Sequence, residues 1–186
     1  MALVVIGGVA AGLSAAARAR RIDPHLEIVV LEKGPVVSYG ACGLPYFVEG
    51  RVRDARQLIT YTPEYFRKER NIDVRTGARA VAIRHPQREV LLELGERVRY
   101  DRLVIATGAR CDTSGIAGST EAHVFTLHTI EDAERIRRFL QERRPRRAVV
   151  IGAGYIGVEA ADALRRHGLQ VTVVERSCHP DAPLNL

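Results

Sequence analysis

The chain has 186 residues, of which 46% are hydrophobic and 27% are charged, and it carries a formal net charge of +6 at pH 7. This length and balance are typical of a globular protein with one large domain or one and a half smaller ones. No apolar run reaches the roughly 18 residues that a membrane helix needs, so we expect no membrane partner.

The positive charge comes almost entirely from arginine and is concentrated near one predicted helix. Seven arginines fall between Arg135 and Arg147. Such a run is compatible with a nucleic-acid patch, but Glu131, Glu134 and Glu142 are interleaved with it, and no aromatic stacking residues or nucleic-acid motif accompany it. We therefore interpret the run as a solvated helix face and expect no nucleic-acid partner.

The opening of the chain predicts a strand, a glycine loop, a helix and a second strand. The apolar residues 3–6 are typical of a buried parallel strand and lack the basic region of a signal peptide, so we expect a cytoplasmic protein. The glycine loop covers residues 7–12, and the alanine-rich residues 10–20 favour a helix. The second strand is predicted over residues 27–31, with Glu32 at its carboxyl end.

The middle of the chain predicts one helix and several strands. Thr62 is a suitable N-cap and Pro63 a suitable first residue for a helix that runs to about Arg70. Strands are predicted over residues 73–75, 80–84, 89–94, 97–100 and 103–106. Because turn residues separate the three central ones, we expect these to form an antiparallel meander. The last strand leads to Thr107 and Gly108.

After a polar linker over residues 112–120, the opening pattern is repeated. A helix is predicted first, over residues 130–144. It is followed by a strand over 148–151, a second glycine loop over 152–157, a helix over 155–167 and a strand over 171–174. Glu175 then follows its strand as Glu32 follows the earlier one. The sequence therefore predicts an α/β fold with two strand–loop–helix–strand units.

Both glycine loops have the spacing of a dinucleotide-binding site. Its first glycine allows a tight turn, its second lets a pyrophosphate approach the backbone, and its third lets the helix pack on the strand. The helix N-terminus offers N–H groups to the phosphates, and the acidic residue accepts hydrogen bonds from a ribose. Val9 stands at the middle position of the first loop, so a simple tight turn is the alternative there. Glu175, which no arginine obviously replaces, favours NADH over NADPH.

The chain has three cysteines, Cys42, Cys111 and Cys178. Their odd number and wide spacing exclude a disulfide framework and indicate no zinc site. Gly40 and Gly43 flank Cys42 in a shaped loop, which favours a reactive thiol over a buried small hydrophobe. We expect the other two cysteines to be inert.

Four motifs, in this order along the chain, resemble those of the pyridine nucleotide–disulfide oxidoreductases. They are the glycine loop near residue 7, Cys-Gly-Leu-Pro-Tyr at 42–46, Leu-Val-Ile-Ala-Thr-Gly at 103–108 and Val-Ile-Gly-Ala-Gly-Tyr-Ile-Gly-Val-Glu at 150–159. The resemblance runs from residue 1 to about residue 176. Within the family the chain is most similar to the single-cysteine group of coenzyme A-disulfide reductases, NADH oxidases and NADH peroxidases.

This resemblance implies an FAD/NAD(P)-binding, Rossmann-like fold with FAD at the first loop and NADH or NADPH at the second. The implied FAD contacts are Gly7, Gly8, Gly12, Glu32, Thr107 and Gly108. The implied NADH contacts are Gly152, Gly154, Ile156, Gly157, Glu159 and Glu175. Tyr155 is implied to shield the flavin until nicotinamide displaces it. Without the resemblance, core packing for Tyr155 and a surface charge for Glu159 are the plainer interpretations.

The resemblance also implies the reaction. Electrons would pass from NADH through FAD to Cys42, which cycles between a thiol and an oxidised or mixed-disulfide form, and then to a low-molecular-weight disulfide such as coenzyme A disulfide. Two departures narrow the subgroup. Ala10 stands where the peroxidases and oxidases carry a histidine, and the two-cysteine C-x-x-x-x-C motif is absent. A coenzyme A-disulfide or persulfide reductase-like protein fits best.

Family members are more than twice as long, so we expect a C-terminally truncated chain. Residues 1–114 would form an FAD-binding domain without its C-terminal return, and residues 115–186 the first part of an NAD(P)-binding domain. An incomplete second Rossmann unit cannot cover both faces of its sheet. This leaves two alternatives to the complete enzyme: a non-catalytic nucleotide-binding fragment, or half of a split enzyme. Their expected partners are a second copy of the chain or a complementing chain.

Overall fold

The computed structural model describes residues 1–113 and 115–176. The helices are α1 (Ala10–Ile22), α2 (Leu44–Glu49), α3 (Pro63–Arg70), α4 (Ile130–Arg143) and α5 (Tyr155–Arg166). The strands are β1 (Ala2–Ile6), β2 (Glu27–Leu31), β3 (Asp73–Arg75), β4 (Ala80–Arg84), β5 (Glu89–Leu92), β6 (Arg97–Arg99), β7 (Arg102–Ile105), β8 (Arg147–Ile151) and β9 (Gln170–Val174). Short 3₁₀ turns cover Ala41–Gly43 and Ala55–Leu58.

The chain divides into two compact units. The first contains Met1–Gly40 and Ile59–Ala109, and the second contains Ala41–Leu58 and Arg110–Leu186. The short segment that holds Cys42 and α2 therefore belongs to the second unit, although the residues before and after it in the sequence belong to the first.

The first unit is built on a parallel sheet in the order β3-β2-β1-β7. Val4 lies opposite Val29 on one neighbour and Leu103 on the other, so β1 is central. Because side chains alternate along a strand, each strand supplies residues to two cores. Leu3 and Val5 pack with residues of α1 and α3 on one face, and Val4 packs with residues of the β4–β5–β6 meander on the other.

The second unit contains the parallel pair β8–β9, in which Val150 lies opposite Val173. Helix α5 follows β8 and contacts both strands. Val149, Ile151 and Val174 are exposed large apolar residues of this pair. A parallel sheet is normally buried on both faces, so the exposed side agrees with the expectation of an incomplete second Rossmann unit.

Helix boundaries follow local signals in the sequence. The side-chain oxygen of Thr62 accepts a hydrogen bond from the Tyr65 N–H and caps α3, as the sequence predicts. Thr129 and Asp132 form a reciprocal capping box at the start of α4. The predicted meander and the two strand–loop–helix–strand units are also confirmed, with ends that differ by one or two residues.

One element differs from the sequence expectation. The region around Cys42 is expected to be a shaped loop, but helix α2 begins two residues after the cysteine. Pro45 lies in its first turn, where a missing N–H costs nothing, and Gly50 ends it in a left-handed conformation with φ 94°. No helix in residues 1–113 and 115–176 is long and apolar enough to cross a membrane.

The core of the first unit can be tested with a matched pair of leucines. Leu31 is 1% exposed and Leu94 is 94% exposed. Replacing buried Leu31 with alanine removes contacts and leaves a cavity, so the free energy of unfolding should fall by about 2–5 kcal/mol. Leu94→Ala should change it by no more than about 0.5 kcal/mol. Urea denaturation measures both, and equal effects of the two changes would contradict the described burial.

Candidate functional site

The first glycine loop joins β1 to α1 at the carboxyl edge of the central strand. Gly7 has φ +112°, a region that favours glycine, and its N–H donates to the Leu31 carbonyl over 2.8 Å. A Cβ added to Gly7 would overlap the carbonyl oxygen of Ala106, which follows β7. The loop is thus held between the ends of the two strands that flank β1.

The third glycine of this loop sets how close the helix lies. A Cβ added to Gly12 would overlap the carbonyl oxygen of Gly7. The first turn of α1 therefore lies directly against the loop, as expected for the third glycine of a dinucleotide-binding motif. Gly8 is also crowded, because a Cβ there would come 2.8 Å from a methyl carbon of Val37 and 2.9 Å from the Cβ of Glu32.

Glu32 follows β2 and directs its carboxylate to the same loop. One oxygen accepts a hydrogen bond from the Gly8 N–H at 2.7 Å, and the other accepts one from the Gly34 N–H at 2.8 Å. The residue is 8% exposed. Two backbone donors hold the carboxylate in place, and each oxygen retains a lone pair for a further donor.

The end of β7 completes this edge of the sheet. Thr107 and Gly108 follow Ala106, and both are exposed. Gly108 has φ +69°, which favours glycine at that turn. Because β1, β2 and β7 are parallel, the structure brings the first loop, Glu32 and this turn to one edge of the first unit.

The second glycine loop repeats these contacts within the second unit. Gly152 has φ +101°, and its N–H donates to the Val174 carbonyl over 2.8 Å. A Cβ added to Gly157 would overlap the Gly152 carbonyl oxygen. A carboxylate oxygen of Glu175 accepts a hydrogen bond from the Ala153 N–H at 2.7 Å. Each loop therefore has the same strand contact, the same helix approach and the same acid-to-amide bond.

The two loops differ at their middle position. Val9 is the N-cap of α1, and Gly154 is the N-cap of α5. Gly154 has φ −69°, which any residue adopts, and an added Cβ would meet nothing within 4 Å. The fold of the second loop therefore does not require this glycine, whereas a ligand lying against the backbone would.

Both helices that follow a glycine loop begin without a side-chain cap. In the described part of the chain, α1, α2 and α5 have no side-chain hydrogen bond at their N-caps, whereas threonines cap α3 and α4. The first turn of a helix has N–H groups without helical partners and carries a partial positive charge. These two helix starts are therefore suited to bind an anionic group.

Cys42 lies in the 3₁₀ turn before α2 and is exposed. A Cβ added to the adjacent Gly43 would overlap a methyl group of Leu58, so this turn is closely packed on one side. Cys111 is exposed as well, and neither thiol forms a disulfide. Cys178 lies outside the described residues.

Three predicted contact residues lie on the first turns of α5. Tyr155 is the first residue of the helix and is 85% exposed, and Ile156 and Glu159 are exposed. No buried packing holds these side chains in the described structure. The exposure of Tyr155 differs from the plainer interpretation of core packing, and its role at a flavin stays a prediction.

Sequence reasoning missed two backbone groups that shape the first loop. The Gly34 N–H fixes Glu32, and the Ala106 carbonyl limits Gly7. The short spacing between Glu32 and Gly34 is a visible signal for a local turn around the carboxylate. The Ala106 contact depends on which strands are neighbours, so no local pattern reveals it.

The chain matches one protein family and several known proteins. The family model described as pyridine nucleotide-disulphide oxidoreductase matches residues 1–182. The chain is 33% identical to a coenzyme A disulfide reductase of Staphylococcus haemolyticus. The match covers 94% of this chain and 40% of that protein. It is 38% identical to an NAD(P)H sulfur oxidoreductase (CoA-dependent) of Pyrococcus abyssi, of which it spans 39%.

A solved structure shows the same arrangement. An NAD-dependent persulfide reductase from A. fulgidus is 44% identical and superposes with a TM-score of 0.89. The match covers 94% of this chain and 34% of that one. The comparisons thus agree with the sequence resemblance, and the chain spans less than half of the length of each of these relatives.

The second loop offers a test of close approach with its own control. Gly157→Ala places a methyl group on the Gly152 carbonyl and should lower the free energy of unfolding by about 2 kcal/mol or more, as overpacking does. Gly154→Ala meets open space and should change it by less than about 1 kcal/mol. Thermal and urea unfolding of both variants measure the difference, and a stable Gly157→Ala protein would rule out the described contact.

Proposed function

Because the chain belongs to the pyridine nucleotide-disulphide oxidoreductase family, we propose that it serves an FAD- and NAD(P)H-dependent reduction of a low-molecular-weight disulfide such as coenzyme A disulfide. The observation that carries this proposal is the repetition of one loop geometry. The N–H groups of Gly7 and Gly152 donate to the last carbonyls of β2 and β9. The carboxylates of Glu32 and Glu175 accept from the N–H that follows each of these glycines. Two such loops in one chain fit two dinucleotides.

The first loop fits the pyrophosphate of FAD. Gly7, Gly8 and Gly12 leave no room for side chains, and the uncapped start of α1 offers N–H groups to the phosphates. The fixed carboxylate of Glu32 would accept a hydrogen bond from the adenosine ribose. Thr107 and Gly108 stand at the same edge and would lie along the nucleotide.

The second loop fits NAD(P)H. The space at Gly154 lets a pyrophosphate approach the backbone, and the start of α5 offers its N–H groups in the same way. Ile156 and Gly157 belong to this first turn. Tyr155 and Glu159, both exposed, are proposed to face the nicotinamide end of the coenzyme, Tyr155 as the residue that shields the flavin.

Glu175 supports NADH over NADPH as the electron donor. Its carboxylate accepts a hydrogen bond from the Ala153 N–H, and a carboxylate at the end of the second strand accepts a hydrogen bond from the ribose 2′-hydroxyl. The additional phosphate of NADPH would bring negative charge to this carboxylate, and like charges repel. We therefore propose NADH as the preferred coenzyme.

Cys42 is proposed as the residue that reacts with the disulfide. FAD, when bound, would accept a hydride from NAD(P)H and pass two electrons to sulfur. The Cys42 thiolate attacks one sulfur of the substrate, so that a bond to that sulfur forms while the substrate S–S bond breaks. The other half leaves as a thiolate, and the exposure of Cys42 gives the disulfide access.

A second function is nucleotide binding without turnover. The exposed apolar side chains of Val149, Ile151 and Val174 favour it, because a parallel sheet that is covered on both faces would bury them. In that case the chain would bind NADH and become active only with another copy or a complementing chain. The cytoplasmic location and the absence of a nucleic-acid partner stay predictions.

The role of Cys42 can be tested against the other described cysteine. The purified chain should be yellow, and the colour should bleach when NADH is added without oxygen. Cys42→Ser should abolish the reduction of coenzyme A disulfide and leave the flavin spectrum intact, because serine cannot form the mixed disulfide. Cys111→Ser should leave both unchanged. Unaltered turnover in Cys42→Ser would refute the assignment, and a colourless protein that binds NADH would favour the second function.

The second loop can be tested by binding alone. Gly154→Ala should weaken NADH binding about tenfold or more, which is about 1.4 kcal/mol, because its methyl group occupies the space against the backbone. Titration calorimetry of the full chain measures the affinity. The stability change expected for the same variant, less than about 1 kcal/mol, serves as the control. Unchanged NADH affinity would contradict a pyrophosphate at this loop.

A further inference from the structure

Helix α2, which follows the Cys42 turn, is held by three basic side chains from other helices of the second unit. Arg137 comes from α4, Arg166 is the last residue of α5, and His167 is the cap that follows it. We call these residues the α2 clamp. In the described residues, their hydrogen bonds, ion pairs and ring contacts go to residues other than Cys42, so we expect any effect on the thiol to act through α2.

Arg137 contacts three residues of α2 and of the segment that follows it. Its guanidinium carbon lies 4.4 Å from the centre of the Phe47 ring. Its Nη1 also donates to the carbonyl oxygens of Val52 and Arg53 at 3.2 and 3.1 Å. Phe47 is buried in α2, and the two carbonyls belong to the segment just after it. One side chain thus joins the helix to its exit segment.

The end of α5 holds the last turn of α2. Nε2 of His167 lies 2.7 Å from the Val48 carbonyl oxygen, which can only accept, so this nitrogen carries the proton. Nε of Arg166 donates to a carboxylate oxygen of Asp162 on its own helix at 3.0 Å, and it forms an ion pair with a Glu49 oxygen 3.4 Å away. Glu49 also pairs with Arg51. The Glu49 side chain is 13% exposed, whereas those of Arg166 and Arg51 are 52% and 56% exposed, so water partly screens both pairs.

Helix α2 needs such support because it is short. It has six residues, and a helix of that length is not stable by its own hydrogen bonds. Its stability must come from tertiary contacts, which include those of its buried residues Leu44, Pro45, Phe47 and Val48 and those of the α2 clamp. Since the 3₁₀ turn with Cys42 leads directly into α2, the position of the thiol depends on the position of this helix.

We propose that Arg137, Arg166 and His167 are positioning residues that hold the Cys42 segment through α2. The proposal rests on the proposed function for the role of Cys42. Helix α5 begins at the second glycine loop and ends at the clamp, so one helix would hold both the coenzyme and the thiol segment. Attack on a disulfide requires the sulfur in a defined position, and a small misplacement lowers such rates strongly.

The experiment compares the full chain with Arg137→Gln, Arg137→Lys and Arg138→Gln. Arg138 is the exposed neighbour on the same helix and serves as the matched control. Hydrogen–deuterium exchange of residues 44–53 should become about tenfold faster in Arg137→Gln, the equivalent of one lost charge-assisted hydrogen bond. Lysine keeps the charge but lacks the planar guanidinium, so Arg137→Lys should recover part of the protection. Peptides from β1 and β2 should not change.

The thiol is probed with two reagents on the reduced protein, and Cys111 is the internal reference. Arg137→Gln should slow mixed-disulfide formation between Cys42 and coenzyme A disulfide about tenfold. Alkylation of Cys42 by iodoacetamide, which needs no defined approach, should change by less than about twofold. Peptide mapping by mass spectrometry gives each rate at Cys42 and Cys111 separately.

The outcomes separate the two proposals. Unchanged exchange over residues 44–53 in Arg137→Gln overturns the clamp. Faster exchange with equal changes for both reagents overturns the positioning role, because the helix would then matter only for stability. If coenzyme A disulfide shows no preference for Cys42 in the unmodified chain, the proposed substrate is wrong, and the exchange measurement alone decides whether the clamp holds this segment.

Discussion

Each glycine loop depends on one close backbone approach. The first turn of the following helix lies against the carbonyl oxygen of the first glycine of the loop, at Gly12 over Gly7 and at Gly157 over Gly152. This approach fixes where the helix N-terminus points relative to the strand. The direction of the free N–H groups, and hence the anion site, follows from it.

The acidic residues add a second constraint to the same geometry. Glu32 and Glu175 each accept a hydrogen bond from the amide that follows the first glycine of their loop. The bond orients each carboxylate toward the glycine loop at the carboxyl edge of its sheet. Glu32 is fixed further by Gly34 and is buried, whereas Glu175 is exposed. Of the two carboxylates, that of Glu32 is therefore the more shielded from water.

Much of the fold follows from local sequence patterns. The apolar runs of β1 and β2, the glycine loops and the Thr62–Pro63 helix start identify their elements, because each signal lies within a few residues. Helix α2 is different. Glycines around Cys42 suggest a loop, and the helix forms because distant residues such as Arg137 and His167 contact it. Tertiary contacts override local preference there.

Some residues of the candidate site can likewise be predicted from local sequence, and others depend on tertiary contacts. The glycines and both acids can be predicted as site residues from their spacing, because the chemistry of a dinucleotide site requires them in that order. The Ala106 carbonyl that limits Gly7 cannot be assigned, because it depends on β7 lying beside β1. The exposure of Tyr155 cannot be predicted from the sequence either. An aromatic residue at the start of an apolar helix is compatible with a buried position as well as with an exposed one.

The placement of the Cys42 segment has a consequence for how the protein is made. Val48 and His167 are joined although 119 positions separate them. During synthesis from the N-terminus, α2 leaves the ribosome long before its partners on α4 and α5. Contacts between such distant positions raise the contact order and slow folding. The contacts of the α2 clamp can therefore form only after α4 and α5 have been synthesised, when all the strands of the first-unit sheet have already been made.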